Sequence, residues 1–293
     1  METLQAIARK IDGAQDLGSV VRTMKTMAAA NIEQYEAALT SLHDYHQTVA
    51  LGLAAYFRHE GLRTLPPSPP ASAQKTVGVL ALGSDQGLVG QFNDLLADYL
   101  TDHLSTLPGE KIVWVVGERL YGHLEGGTYH PARLYTAPYS VAAVTQLVGQ
   151  VLQQLEESQR QEGITDFYLF HHQPVAQGGY LPTGQLLLPL DKNWYQQLLH
   201  TPWPTPCVPH VQGPSTPTLQ ALIREYLFVS LFKACTESLA SENTSRLMAM
   251  QRAEKNIEEI LQELTQRYHR FRQSTIDAEL FDVVSGFELL GKD

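Results

Sequence analysis

A chain of 293 residues, 43% of them apolar, has material for one sizeable core or two modest ones. Its formal net charge of −10 sets up a field that repels nucleic-acid phosphates and anionic lipid, so neither is expected as a primary partner. Cys207 and Cys235 lie 28 residues apart with neither CxxC nor paired Cys/His spacing, which excludes a disulfide framework and a zinc site and fits a reducing compartment.

The N-terminal METLQAIARKIDGAQDLG carries Glu2, Asp12 and Asp16 and lacks the apolar core of a signal peptide, so the chain is expected to start where it works. No stretch approaches the roughly 18 apolar residues of a membrane span, and a membrane machine would be served from its soluble side. Residues 3 to about 58 hold no proline. Steps of four and three from Ile7 pass through Ile11, Ala14, Gly18, Val21 and Lys25, then Ala28, Ile32, Tyr35, Leu39, Leu42, His46, Val49 and Leu53; eleven of these fourteen are apolar or aromatic. That 3.5-residue repeat predicts one long helix with a coiled-coil seam, about 80 Å in length.

Pro66, Pro67, Pro69 and Pro70 are expected to terminate it. Short apolar runs then alternate with helical patterns. Strands are expected at Val77–Leu82, Lys111–Val116, Asp166–Phe170 and Gln185–Leu190, and helices at Asn93–Leu104 and Val141–Gln161. This alternation predicts an α/β layer with parallel pairing. The proline-rich stretch 201–217 leads into a second helix, free of proline and glycine from Leu219 to Val284. Its second half steps through Arg246, Met250, Ala253, Ile257, Ile260, Leu264, Arg267, Phe271 and Ser274, with Leu247, Leu261 and Tyr268 widening the stripe. The expected fold is therefore α/β, two long terminal helices forming an antiparallel coiled coil with an inserted, Rossmann-like α/β domain. The expected divisions are 1–62, 75–200, 201–217 and 218–293.

Chemical signals are sparse. Gly83–Gly90 (GSDQGLVG) lies between a strand and a helix, as a phosphate loop would. It is neither GxGxxG nor a Walker loop, and a tight turn capped by Ser84 or Asn93 is the better reading. His171 and His172 sit together just after a strand, and because adjacent strand residues point to opposite faces they are not expected to share a metal. His43 and His46 share a helical face without a third ligand. No catalytic constellation is found among the eleven histidines. Arg22 and Lys25 beside Met24 and Met27 place cations and soft apolar groups on one helical surface, which by itself reads as a solvated basic turn.

Four segments, in order and in register, resemble the gamma subunit family of F-type rotary ATP synthases. RKI (9–11), Gln15 and VRTMKTMAAA (21–30) are similar to the family's opening, and SDQGLVGQFN (84–93) to the segment that begins its α/β domain. ESLASE (237–242) with RLMAM (246–250) and RQSTI (272–276) with ELFDVVSG (279–286) are similar to its closing helix. Asp277 and Phe287 depart from the family pattern, and Gly13 and Gly18 are unusual within a long helix. These departures point to a divergent branch, such as the alternative, sodium-coupled bacterial enzymes.

The resemblance implies a non-catalytic rotor shaft turning inside a head of alternating alpha and beta subunits, above a membrane c-ring and beside an epsilon subunit. It implies a peripheral place on the cytoplasmic face of a bacterial membrane, no cofactor or metal on this chain, and ATP chemistry on beta. Arg22, Met24 and Lys25 would face acidic lever loops of beta, and Arg272 and Gln273 would make polar contacts with the head. The alternatives are a coiled-coil adaptor carrying an α/β domain and a nucleotide-dependent α/β enzyme.

Overall fold

The computed structural model describes residues 3–60, 75–175, 179–190, 192–200, 202–207 and 209–290. The expected proline stop at 66–70 lies outside them. Two units are distinguished, Met1–Ala28 with Leu247–Asp293, and Ala29–Arg246. The first helix, α1 (Leu4–Glu60), and the last, α6 (Ser215–Leu290), each contribute to both. Among the described residues no helix is long and apolar enough to cross a membrane.

The larger unit is built on five strands: β1 (Thr76–Leu82), β2 (Glu110–Val116), β3 (Pro131–Tyr135), β4 (Ile164–Val175) and β5 (Gly179–Leu188), in the order β3-β2-β1-β4-β5. The first four pair in parallel and β5 runs antiparallel to β4. Helices α2 (Phe92–Thr106) and α3 (Glu118–Glu125) cover one face. The other is covered by α4 (Val141–Gln161) and the Leu227–Ala240 stretch of α6. Burial on both faces is why β1 reads TVGVLAL without alternation: Val77, Val79 and Ala81 face α2 and α3, while Leu80 and Leu82 join the opposite core. A third cluster joins Leu53, Tyr56 and Phe57 of α1 to Tyr195 on α5 (Lys192–His200) and Leu219 and Val229 on α6. Cys235 is buried, which pushes its thiol up to about 12, whereas Cys207 is exposed.

The expected strands and helices are present with shifted ends, and α3, β3 and α5 are additions. The middle of β3 is exposed, so its sequence carries no run of buried apolar residues. β5 starts six residues earlier than expected and ends before Pro189, which has no N–H for a ladder. α6 starts at Ser215, three residues early, because Pro217 falls in the first turn, where the N–H needs no helical acceptor.

In the larger unit α1 and α6 run antiparallel: Asn31 bonds Asn243 at 3.2 Å, Tyr45 bonds Glu225, and Tyr56 lies 2.5 Å from Ser215. The smaller unit repeats the arrangement, with Gly18 opposite Ile257 and Lys25 bonded to Glu254. All fourteen predicted α1 seam positions are buried or half-buried. The expected α6 stripe holds only to Ile257. Beyond it Leu261, Leu264 and Tyr268 are half-buried, while Ile260, Arg267, Phe271 and Ser274 are exposed. The stripe takes a step of four at Ile257, where a step of three had been expected, which keeps it on the side facing α1.

Candidate functional site

In this strand order β1, β2 and β3 advance in one direction and β4 returns to the other side of β1. The carboxyl ends of β1 and β4 therefore form a topological switch point, where open α/β sheets usually bind ligands. Here α6 occupies it. Ser238 donates to the Leu82 carbonyl (3.1 Å) and Ser245 to the Val89 carbonyl, while Ser241 shares its one O–H between the Glu237 carbonyl of its own helix (2.8 Å) and the His172 carbonyl (3.2 Å). Spacings of three and four put the three hydroxyls on one helical face, and all are buried. Small side chains let the helix approach the strand ends, and the hydroxyls add hydrogen bonds to buried carbonyls there, the Val89 carbonyl accepting from the Phe92 N–H (3.3 Å) as well.

The GSDQGLVG loop is shaped for this contact. Asn93 does not cap its own helix. It accepts from the Ser84 N–H (3.0 Å) and donates to the Ser84 hydroxyl (2.9 Å), so an N–H that a phosphate would need is already bonded. Leu88 and Gly90 adopt positive φ, 63° and 57°, turning the Val89 carbonyl toward Ser245. Gly83 is needed for a close approach, since an added Cβ would lie 2.3 Å from Leu120. The Asp85 carboxylate accepts from the N–H groups of Glu118, at the start of α3, and Ala137 (3.0 Å each) and from the Tyr139 hydroxyl (3.2 Å). Its charge pushes the Tyr139 phenol above its ordinary pKa.

The two histidines on β4 do point apart. His171 bonds Glu237 on α6 (2.9 Å), and His172 donates from Nε2 to the Phe92 carbonyl on α2 (2.7 Å). Burial first, then the neighbouring His171, pushes His172 down to about 4, so it is a neutral donor at physiological pH. His43 bonds Gln47, and His46 lies against Tyr226, where burial lowers its pKa. Among the described residues no group of three or more His, Cys, Asp or Glu side chains is placed to hold a metal. Glu242 lies 2.6 Å from Arg246, and burial raises its pKa against the arginine's pull.

In the smaller unit, Glu254 of α6 reaches across to α1, 2.5 Å from Lys25 Nζ and 3.4 Å from Arg22 Nε. The Lys25 hydrogen bond is the first cause holding Glu254 below the usual carboxylate range. An added Cβ on Gly18 would lie 3.4 Å from Ile257, so the glycine marks close helix contact. Arg22 keeps 68% of its side chain exposed, and Met24 is half-buried. Arg272 and Gln273 are exposed on α6, 18 residues beyond Glu254 and so about 27 Å along the helix. The structure thus groups Arg22, Met24 and Lys25 and leaves Arg272 and Gln273 apart. Glu254 was missed by the sequence reading, although a lysine on an otherwise apolar seam is a signal that an opposite charge faces it.

Gly18 opposite Ile257 sets a register in which Leu4 falls near Phe271. Beyond that point no described residue of α1 lies alongside. Ile276, Leu280, Phe281, Val283 and Val284 are all exposed, Phe281 to 73%. This helix end carries an apolar surface that no described residue of its own unit covers.

A family model described as ATP synthase matches residues 3–290. The ATP synthase gamma chain of Hydrogenobaculum sp. (strain Y04AAS1) is 24% identical over 288 residues, 97% of each chain. That of Polynucleobacter asymbioticus is 23% identical over 291 residues, 98% of this chain and 99% of the relative. Among solved structures, a chain of the Euglena gracilis mitochondrial ATP synthase rotor superposes with a TM-score of 0.63 at 15% identity, covering 93% of this chain and 98% of that one. A chain of the Tetrahymena thermophila central stalk and c-ring gives 0.57 at 18% identity, over 80% and 99%. The likeness is of fold. The family match runs through both units and every described element, and the chain belongs to the ATP synthase gamma family.

Proposed function

We propose that this chain is the central shaft of a rotary ATP synthase, transmitting torque between a membrane c-ring and the catalytic head. The observation that carries the reading is the antiparallel helix pair of the smaller unit, beyond which α6 continues with apolar side chains that no described residue of that unit covers. Such a surface fits a ring-shaped socket formed by alpha and beta subunits. A supercoiled pair supplies torsional stiffness, and its asymmetry lets each angle favour a different conformation of beta. The relatives are gamma chains, and the Euglena and Tetrahymena assemblies are described as a rotor and as a central stalk with c-ring.

In this reading residues 1–62 and 218–293 form the shaft. Residues 75–200 form the α/β body, joined to it through 201–217 and placed beside epsilon and the ring. Arg22, Met24 and Lys25 meet acidic loops of beta, with Glu254 setting how far Lys25 extends, and Arg272 and Gln273 contact the head. ATP reacts on beta, and the complex stands on the cytoplasmic face of the membrane. Occupation of the switch point by α6 supports a structural use of the α/β body over a nucleotide-dependent enzyme.

The test is reconstitution with alpha and beta subunits. The chain alone is expected to hydrolyse no ATP, and its addition to alpha and beta to restore rapid, single-direction rotation of a bead attached to the α/β body. ATP hydrolysis by the chain alone, or an assembled complex that hydrolyses ATP without turning the bead, refutes the proposal.

A further inference from the structure

On the larger unit, α4, the end of β5 and the first turns of α6 enclose an open cleft of about 790 Å³. Its floor is apolar: Leu152 and Leu155 from α4 and Leu227 from α6 are buried. Leu188, Leu190 and Ile223 form half-buried walls. The mouth is polar and cationic. Arg160 lies in the last turn of α4, Arg224 is on α6, and Gln159 and Gln220 line the cleft with them. Arg224 reaches Glu156 across the mouth at 3.3 Å, in a pair left 62% and 44% exposed.

Two guanidiniums against one carboxylate give the mouth a positive sign in a chain whose net charge is −10. At physiological salt the net field is screened within about 8 Å, so this local sign governs what docks. The volume falls within the roughly 300–1,000 Å³ typical of small-molecule sites, and the lining has their usual composition, apolar walls with a few polar groups at one end. An exposed ion pair is weakly held, so an incoming carboxylate exchanges readily with Glu156 for Arg224.

We infer that this cleft binds a single-chain anionic amphiphile of the long-chain fatty carboxylate class. The alkyl chain lies along the leucine floor and the carboxylate takes bidentate hydrogen bonds at Arg224, with Arg160 adding a second positive charge. The inference is independent of the rotor reading, because it concerns the α/β body and is tested on the chain by itself.

The experiment titrates the purified full chain with 11-(dansylamino)undecanoic acid and displaces the probe with palmitate. One saturable site is expected, with hexadecyltrimethylammonium displacing the probe much less effectively than palmitate. Replacing both arginines, Arg160→Gln with Arg224→Gln, is expected to weaken binding about tenfold or more, the usual weight of a charge-assisted hydrogen bond. Glu156→Gln removes the internal competitor and is expected to tighten it. Ala221→Trp fills the cleft from an exposed position and is expected to abolish binding, with thermal unfolding confirming that the variant folds. The arginine pair, also exposed, decides the matter if that variant does not fold. Absence of saturable binding, affinity unchanged in the arginine variant, equal displacement by the cationic amphiphile, or a signal seen only with phosphatidylglycerol vesicles would each overturn the assignment.

Discussion

His172 offers a quantitative test of how the α/β body is held together. It is fully buried, donates to the Phe92 carbonyl at 2.7 Å, and packs against the rings of Phe92 (4.3 Å) and Tyr180 (4.9 Å). Its pKa falls from 6.5 in the unfolded chain to about 4 in the folded one, so folding favours the neutral ring. The unfolded state therefore takes up the proton first as pH falls. The stabilisation is fully present above pH 6.5, declines through the window from 6.5 to 4, and is lost below about 4. A shift of this size corresponds to about 3 kcal/mol across the window. That is a large part of the roughly 5–15 kcal/mol by which a domain is stable.

The perturbation is His172→Gln, whose side-chain amide keeps a donor for the Phe92 carbonyl but does not titrate. At pH 7 it should cost about 1–2 kcal/mol through lost ring packing and a less well aligned hydrogen bond. Because it lacks the proton linkage, the difference from wild type should shrink as pH falls, cross zero between about pH 6 and pH 5, and be reversed by about 1–2 kcal/mol at pH 4. The assay is urea unfolding at half-unit steps from pH 7.5 to 4, followed by fluorescence of the buried Trp114, which packs on Phe167 in the same unit. Carboxylates titrate over the same range in both proteins, so the difference curve is the readout. A flat difference would refute the buried-neutral account of His172.

The smaller unit makes its own predictions. Stepping seven residues along each helix from Gly18 and Ile257 brings Ile11 opposite Leu264, so Ile11→Cys with Leu264→Cys should cross-link within one chain; only intermolecular products on a denaturing gel would contradict the antiparallel pairing. Leu261→Ala should destabilise the helix pair by about 1–2 kcal/mol, as a half-buried leucine. Ile260→Ala should fall within about 0.5 kcal/mol, and comparable losses in thermal melts would refute the step of four at Ile257. Arg272→Ala with Gln273→Ala should leave assembly normal, since alanine favours helix, yet slow turnover or lower ion pumping per ATP. Each lost charge-assisted hydrogen bond is worth about 1.5–3 kcal/mol, and unchanged turnover with unchanged pumping would mark these positions as solvated surface.

The long helices and parallel strands were legible in the sequence because each rests on a local periodicity. A 3.5-residue repeat without proline commits residues 4–60 to a helix with one seam, and doubly buried strands such as TVGVLAL announce themselves as unbroken apolar runs. The four matching segments were legible for a related reason: three lie on long helices, where spacing along the chain is spacing in space. β3 and α5 were not legible, since a short edge strand with an exposed middle and a nine-residue helix after a proline carry too little pattern. Nor could the sequence tell that Ser238, Ser241 and Ser245 fill the switch point, or that Glu254 stands opposite Lys25 and Arg22. Those contacts join residues from 156 to 232 positions apart, apart from Ser241 with His172 at 69, and a periodicity says which face is apolar but not which partner it meets. The register between α1 and α6 decides that, and it is set by close contacts such as Gly18 against Ile257, which exist only once the helices have paired.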